Sequence, residues 1–126
     1  MNDINGALNY KGKDYKLVFN LNVLEAIQDE YGTFNKWIEL ITNGDEPNAK
    51  AVSFAFTEMI NEGIDIDNES REVPEKPLTR RQVARIITEI GLGEATETLN
   101  QTIEESTKSG DSSKNGSSTK TKKTNR

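Results

Sequence analysis

Histidine and cysteine are absent from this chain of 126 residues. Their absence excludes a catalytic triad with an imidazole base, a thiol nucleophile, a thiolate or imidazole zinc site and any disulfide framework. Aromatic residues make up only 6%, with a single tryptophan, Trp37. No window of about 18 apolar residues occurs, so no membrane-spanning segment is expected. Met1 to Lys13 hold no apolar run, so a signal peptide is not expected either. The chain reads as soluble and intracellular.

What is present is charge, unevenly placed. Residues 107–126 carry Lys108, Lys114, Lys120, Lys122, Lys123 and Arg126 against Asp111 alone, a local charge of +5. The whole chain has a formal charge of −5, which leaves −10 on residues 1–106. The basic segment is built from Ser, Thr, Lys, Gly and Asn with no hydrophobic residue, so it lacks the apolar surface needed to offset its ordering entropy. Two parts are therefore expected: a folded domain over 1–106 and a disordered tail over 107–126.

The predicted fold is α+β and mainly α, an N-terminal hairpin followed by a small bundle of about five helices. Leu8 and Tyr10 alternate, Lys11-Gly12-Lys13-Asp14 supplies turn chemistry, and Tyr15, Leu17 and Phe19 alternate again. A first helix is expected from an Asn22 cap, with Val23, Leu24, Ile27 and Tyr31 on its apolar face and Gly32 ending it. Thr33 caps a second helix bearing Phe34, Trp37, Ile38 and Ile41, which stops at Asn43-Gly44. Asp45-Glu46-Pro47 reads as the start of a third helix reaching about Glu62, with Gly63 as its breaker. Its stripe of Val52, Ala55, Phe56, Met59 and Ile60 leaves Phe54 off the main face. Ile64 to Pro77 reads as a loop. Thr79 and Gln82 form a capping box for a fourth helix with Val83, Ile86, Ile87 and Ile90, closed by Gly91-Leu92-Gly93. A last helix from about Glu94 to Ser106 has a thin seam of Ala95, Leu99 and Ile103.

Chemistry-bearing patterns are sparse. Asp65, Asp67 and Glu69 alternate as oxygen ligands of a hard cation would, but an EF-hand loop counted from Asp65 meets Ser70 and Lys76 where Gly and Glu are required. A solvated acidic loop is the expected reading, and no metal or cofactor is predicted. Thr79 to Gln101 has the outline of a helix-turn-helix. Its second helix carries Glu94, Glu97, Glu104 and Glu105, which repel phosphates, so nucleic acid is not the expected partner of this segment. The basic tail leaves open a nucleic-acid accessory role, and a solubilising or linker role is its plainer reading. No pair of carboxylates, phosphate-binding glycine loop or nucleophile with a base stands out, so no enzyme is expected.

Tyr10-Lys11-Gly12-Lys13-Asp14-Tyr15-Lys16-Leu17-Val18-Phe19-Asn20-Leu21-Asn22, followed by Leu24-Glu25-Ala26-Ile27-Gln28-Asp29-Glu30-Tyr31-Gly32, resembles the opening of the tail assembly chaperones of long-tailed bacteriophages. Val83 to Ile90 with Gly91-Leu92-Gly93-Glu94-Ala95 is similar to the late helical pair of that family, so the resemblance spans about residues 8–106. It implies a non-enzymatic chaperone that binds tail tube subunits and brings them to the tape measure protein. It also implies action in the host cytoplasm and departure before the virion is complete. The residues expected to meet such a partner are Tyr10, Tyr15, Leu17 and Phe19 of the hairpin together with Trp37 and Phe54, although Trp37 also reads as core. A structural subunit of a phage or prophage particle is the alternative, with self-association left open.

Overall fold

The computed structural model describes residues 4–42 and 44–111. Two antiparallel strands, β1 (Ile4–Tyr10) and β2 (Lys13–Phe19), are followed by α1 (Leu21–Tyr31), α2 (Phe34–Thr42), α3 (Ala49–Asn68), α4 (Arg80–Ile90) and α5 (Leu92–Asp111). The hairpin and the five helices match the expected fold class. The basic tail expected over 107–126 is helical as far as Asp111, and the rest of it lies outside the described residues.

The hairpin turn is tighter than the sequence suggested. Only Lys11 and Gly12 lie between the strands, with φ of 54° and 79°, the pair of positive values that a two-residue type I′ turn demands. Register follows from it: Tyr10 pairs with Lys13, Leu8 with Tyr15, Ala7 with Lys16 and Ile4 with Phe19. The face bearing Leu8, Leu17 and Phe19 is buried in the core, and Val18 on the opposite face is buried too.

Four element boundaries differ from the sequence reading. The cap of α1 is Asn20 rather than Asn22, because the chain turns as soon as β2 ends and the Asn20 side chain accepts from the Val23 amide at 3.4 Å. The cap of α3 is Asn48, which accepts from the Ala51 amide at 2.9 Å, so Asp45-Glu46-Pro47 precede the helix. Gly63 does not break α3, which runs on to Asn68 and takes up the first part of the expected loop. A Cβ at Gly63 would stand 3.1 Å from the Lys16 carbonyl oxygen, so the glycine serves close helix-to-strand packing. Gly91 alone separates the last two helices: its N–H caps α4 at 2.7 Å from the Ile87 oxygen, and its own oxygen accepts from Ala95 at 2.9 Å, placing Leu92 inside α5.

The expected caps at Thr33 and Thr79 are in place, the latter with its reciprocal Gln82 bond. Trp37 is fully buried, and its indole N–H donates to the Ala51 oxygen at 3.0 Å, tying α2 to the first turn of α3. The Phe34 ring lies 6.0 Å from that of Phe19 and 5.6 Å from that of Trp37, linking the hairpin to α2. The seam of α5 is buried as expected, with Ala95 and Leu99 at 0% exposure and Ile103 at 7%.

Candidate functional site

Of the six residues that the sequence nominates for partner contact, three are interior. Leu17, Phe19 and Trp37 are 0%, 2% and 0% exposed, so a partner docking on the folded chain does not touch them. Alternating apolar residues on a strand and an i, i+3, i+4 stripe on a helix are core signals first, and here they are core. Tyr10, Tyr15 and Phe54 are half-buried at the margin of the core, and Phe54 meets Tyr31 edge-on at 5.6 Å. The structure does not bring the six together as one surface.

Three other surfaces emerge. The first is a depression of about 530 Å³ between β2, the C-terminal half of α3 and the loop after it. Its charges are already satisfied: Lys13 pairs with Glu75 at 2.6 Å, Lys16 with Asp67 at 2.8 Å, and Arg71 with Glu75 at 3.3 Å. The Lys16 ammonium holds the Asp67 carboxyl below its ordinary value, and the bond to Glu75 raises the Lys13 ammonium. Solvent screens such exposed pairs, so they contribute little to stability. They fasten the acidic segment that read as a solvated loop. Among the described residues no cluster of three acidic side chains is placed to hold a metal ion.

The second surface is the seam between α1 and α3. Glu62 accepts from Asn20 at 2.8 Å and from Asn22 at 3.0 Å, whereas among the described residues Glu58, one turn away, has no such donor. Burial first, and then the charge of Glu62, push the Glu58 carboxyl above its ordinary value. Among the described residues the buried Tyr31 hydroxyl has no hydrogen-bond partner, and burial, followed by the neighbouring Glu30, raises its pKa.

The third surface is apolar and open. Ala49 and Ser53 of α3, Ala84 and Ile87 of α4 and Leu92 at the start of α5 line a groove of about 320 Å³, with Lys50 and Thr88 completing its wall. A second depression of about 400 Å³, more polar than apolar, shares Ala49 and Leu92 and reaches past Pro47 and Asn48 to Leu40, beside Glu39 and Glu46. Leu40 is 37% exposed. Sequence reasoning missed these depressions because Leu40 lies off the α2 stripe, Ala84 off the α4 stripe, and Leu92 read as part of a glycine linker. Two short residues, Ala49 and Ala84, leave the space, and no periodic pattern announces that.

No family model, curated protein or solved structure matches the chain. No helix among the described residues is long and apolar enough to cross a membrane.

Proposed function

We propose that this protein is a non-enzymatic assembly chaperone, a binding module that covers apolar surface on another subunit until assembly begins. Its client, on this reading, is the tail tube protein of a long-tailed bacteriophage, which it brings to the tape measure protein in the host cytoplasm before leaving the particle. The observation that carries the proposal is the open apolar groove that Ala49, Ala84 and Leu92 form over the buried Ile87, with the exposed Leu40 beyond it. The likeness of residues 10–32 and 83–95 to tail assembly chaperones supplies the kind of client.

The groove is shallow, and shallow suits the task. A chaperone that must release its subunit needs an interface of transient size, not the larger and more hydrophobic kind that holds permanent complexes. The test is a titration of purified tail tube subunit with the wild-type chain and with Ala84→Lys, which places a charge in the groove from an exposed helical position. Binding weakened about tenfold or more, with the helical signal intact, supports the proposal. Equal binding by both chains removes the groove from the account.

A further inference from the structure

The two strands of the hairpin do not end alike. Residues flanking a two-residue turn form a hydrogen-bonded pair, and the pairs alternate from there. With Tyr10 opposite Lys13, the ladder bonds fall on Leu8–Tyr15, Gly6–Leu17 and Ile4–Phe19. The backbone groups of Lys16 therefore point away from β1, and α3 closes that side at Gly63, where even one added carbon would stand 3.1 Å from the Lys16 oxygen. On the other side the N–H and C=O groups of Asn5, Ala7 and Asn9 point outward. Among the described residues no other backbone group bonds to those of Ala7 and Asn9, and both residues are exposed.

This outer edge lacks the devices that normally keep edges apart. Natural edge strands carry Lys, Pro or a bulge, or are very short. β1 spans seven residues, INGALNY, without a charge, a proline or a break in register. By contrast β2 carries Lys13, Asp14 and Lys16 and is the strand that α3 covers.

We propose that β1 pairs antiparallel with β1 of a second copy of this chain, making a continuous four-stranded sheet across a two-fold axis. The outward groups are symmetric about Ala7, so Ala7 opposite Ala7 sets Asn5 of each copy against Asn9 of the other and satisfies all of them. A strand facing itself meets its own charges, and β1 has none to repel. Closed two-fold dimers use one self-complementary patch in this way, and four strands pass the threshold below which a sheet is marginal. The inference goes beyond the chaperone reading and does not depend on it.

The test is sedimentation equilibrium of the full chain with two variants at the same edge. Ala7→Pro removes an outward N–H without touching the β1–β2 ladder, and Ala7→Lys sets two like charges face to face across the axis. Circular dichroism and thermal unfolding report whether each variant keeps the wild-type fold. The expected result is a wild-type dimer, weakened at least tenfold in both variants, with Ala7→Lys partly restored by 0.5 M salt. A wild-type monomer at all concentrations overturns the proposal, as does a dimer unaffected by either folded variant. Loss of tube-subunit binding in Ala7→Pro alongside a monomeric wild type would assign the edge to a client strand and equally overturn it.

Discussion

Gly63 on α3 lies so close to Lys16 on β2 that a Cβ at position 63 would stand 3.1 Å from the Lys16 carbonyl oxygen and 3.3 Å from its Cβ. Alanine in a helix interior is ordinarily better than glycine by about 1 kcal/mol. Here the neighbour is strand backbone held in its ladder, which yields poorly, and overpacking costs about 1–3 kcal/mol. Gly63→Ala is therefore expected to lower stability by about 1 kcal/mol in urea unfolding, where a helix-breaking glycine would give a gain of that size.

Asn61 and Asn68 stand seven residues apart on α3, and each clasps one loop residue by both of its backbone groups. Asn61 donates to the Leu78 oxygen at 3.0 Å and accepts from its N–H at 2.8 Å, and Asn68 does the same for Glu75 at 3.0 and 2.9 Å. Asn61→Ala strips both Leu78 groups of their partner and is expected to cost about 1–3 kcal/mol. Limited proteolysis should then cut first between residues 69 and 79. Asn61→Asp keeps the acceptor and loses the donor, so it should fall between the two.

Much of this architecture was legible in advance and some was not, for physical reasons. The alternation around Lys11-Gly12, the Thr79–Gln82 box and the stripe of Val83, Ile86 and Ile87 are local patterns, and local patterns survive into the fold. Gly63 and Leu92 misled because their local chemistry, a breaker and a linker, was overridden by contacts distant in sequence. The loop clasps of Asn61 and Asn68 depend on a loop folding back onto its own helix. Trp37 already read as core from its stripe, whereas the burial of Leu17 and Phe19 and the exposure of Leu40, Ala49 and Ala84 required knowing which face met which.

Glu58 is a half-buried carboxylate one turn from Glu62, its pKa raised by burial and by that neighbour. Its charged form therefore costs stability, fully above the folded-state pKa and not at all below the unfolded value. Glu58→Gln is expected to stabilise the protein at pH 7 by about 0.2–0.5 kcal/mol from the like-charge pair alone. The gain should vanish as the pH falls below the ordinary carboxylate range. Urea midpoints at pH 7 and pH 4 check both the sign and the window.

Trp37, the one tryptophan, is buried with its N–H bonded to the Ala51 oxygen. Its fluorescence should be blue-shifted in the free protein and should not move when a tube subunit binds. A red shift or strong quenching on binding would put Trp37 at the interface and require the helices to part.

If the chain keeps tail tube subunits from polymerising, co-expression with a bacteriophage tail tube protein will reveal it. Size-exclusion chromatography and electron microscopy then follow the tube protein with and without the chain. A soluble complex is expected, with tubes or aggregates only when the chain is missing. Tubes that assemble unchanged in its presence, with no co-elution, would contradict it.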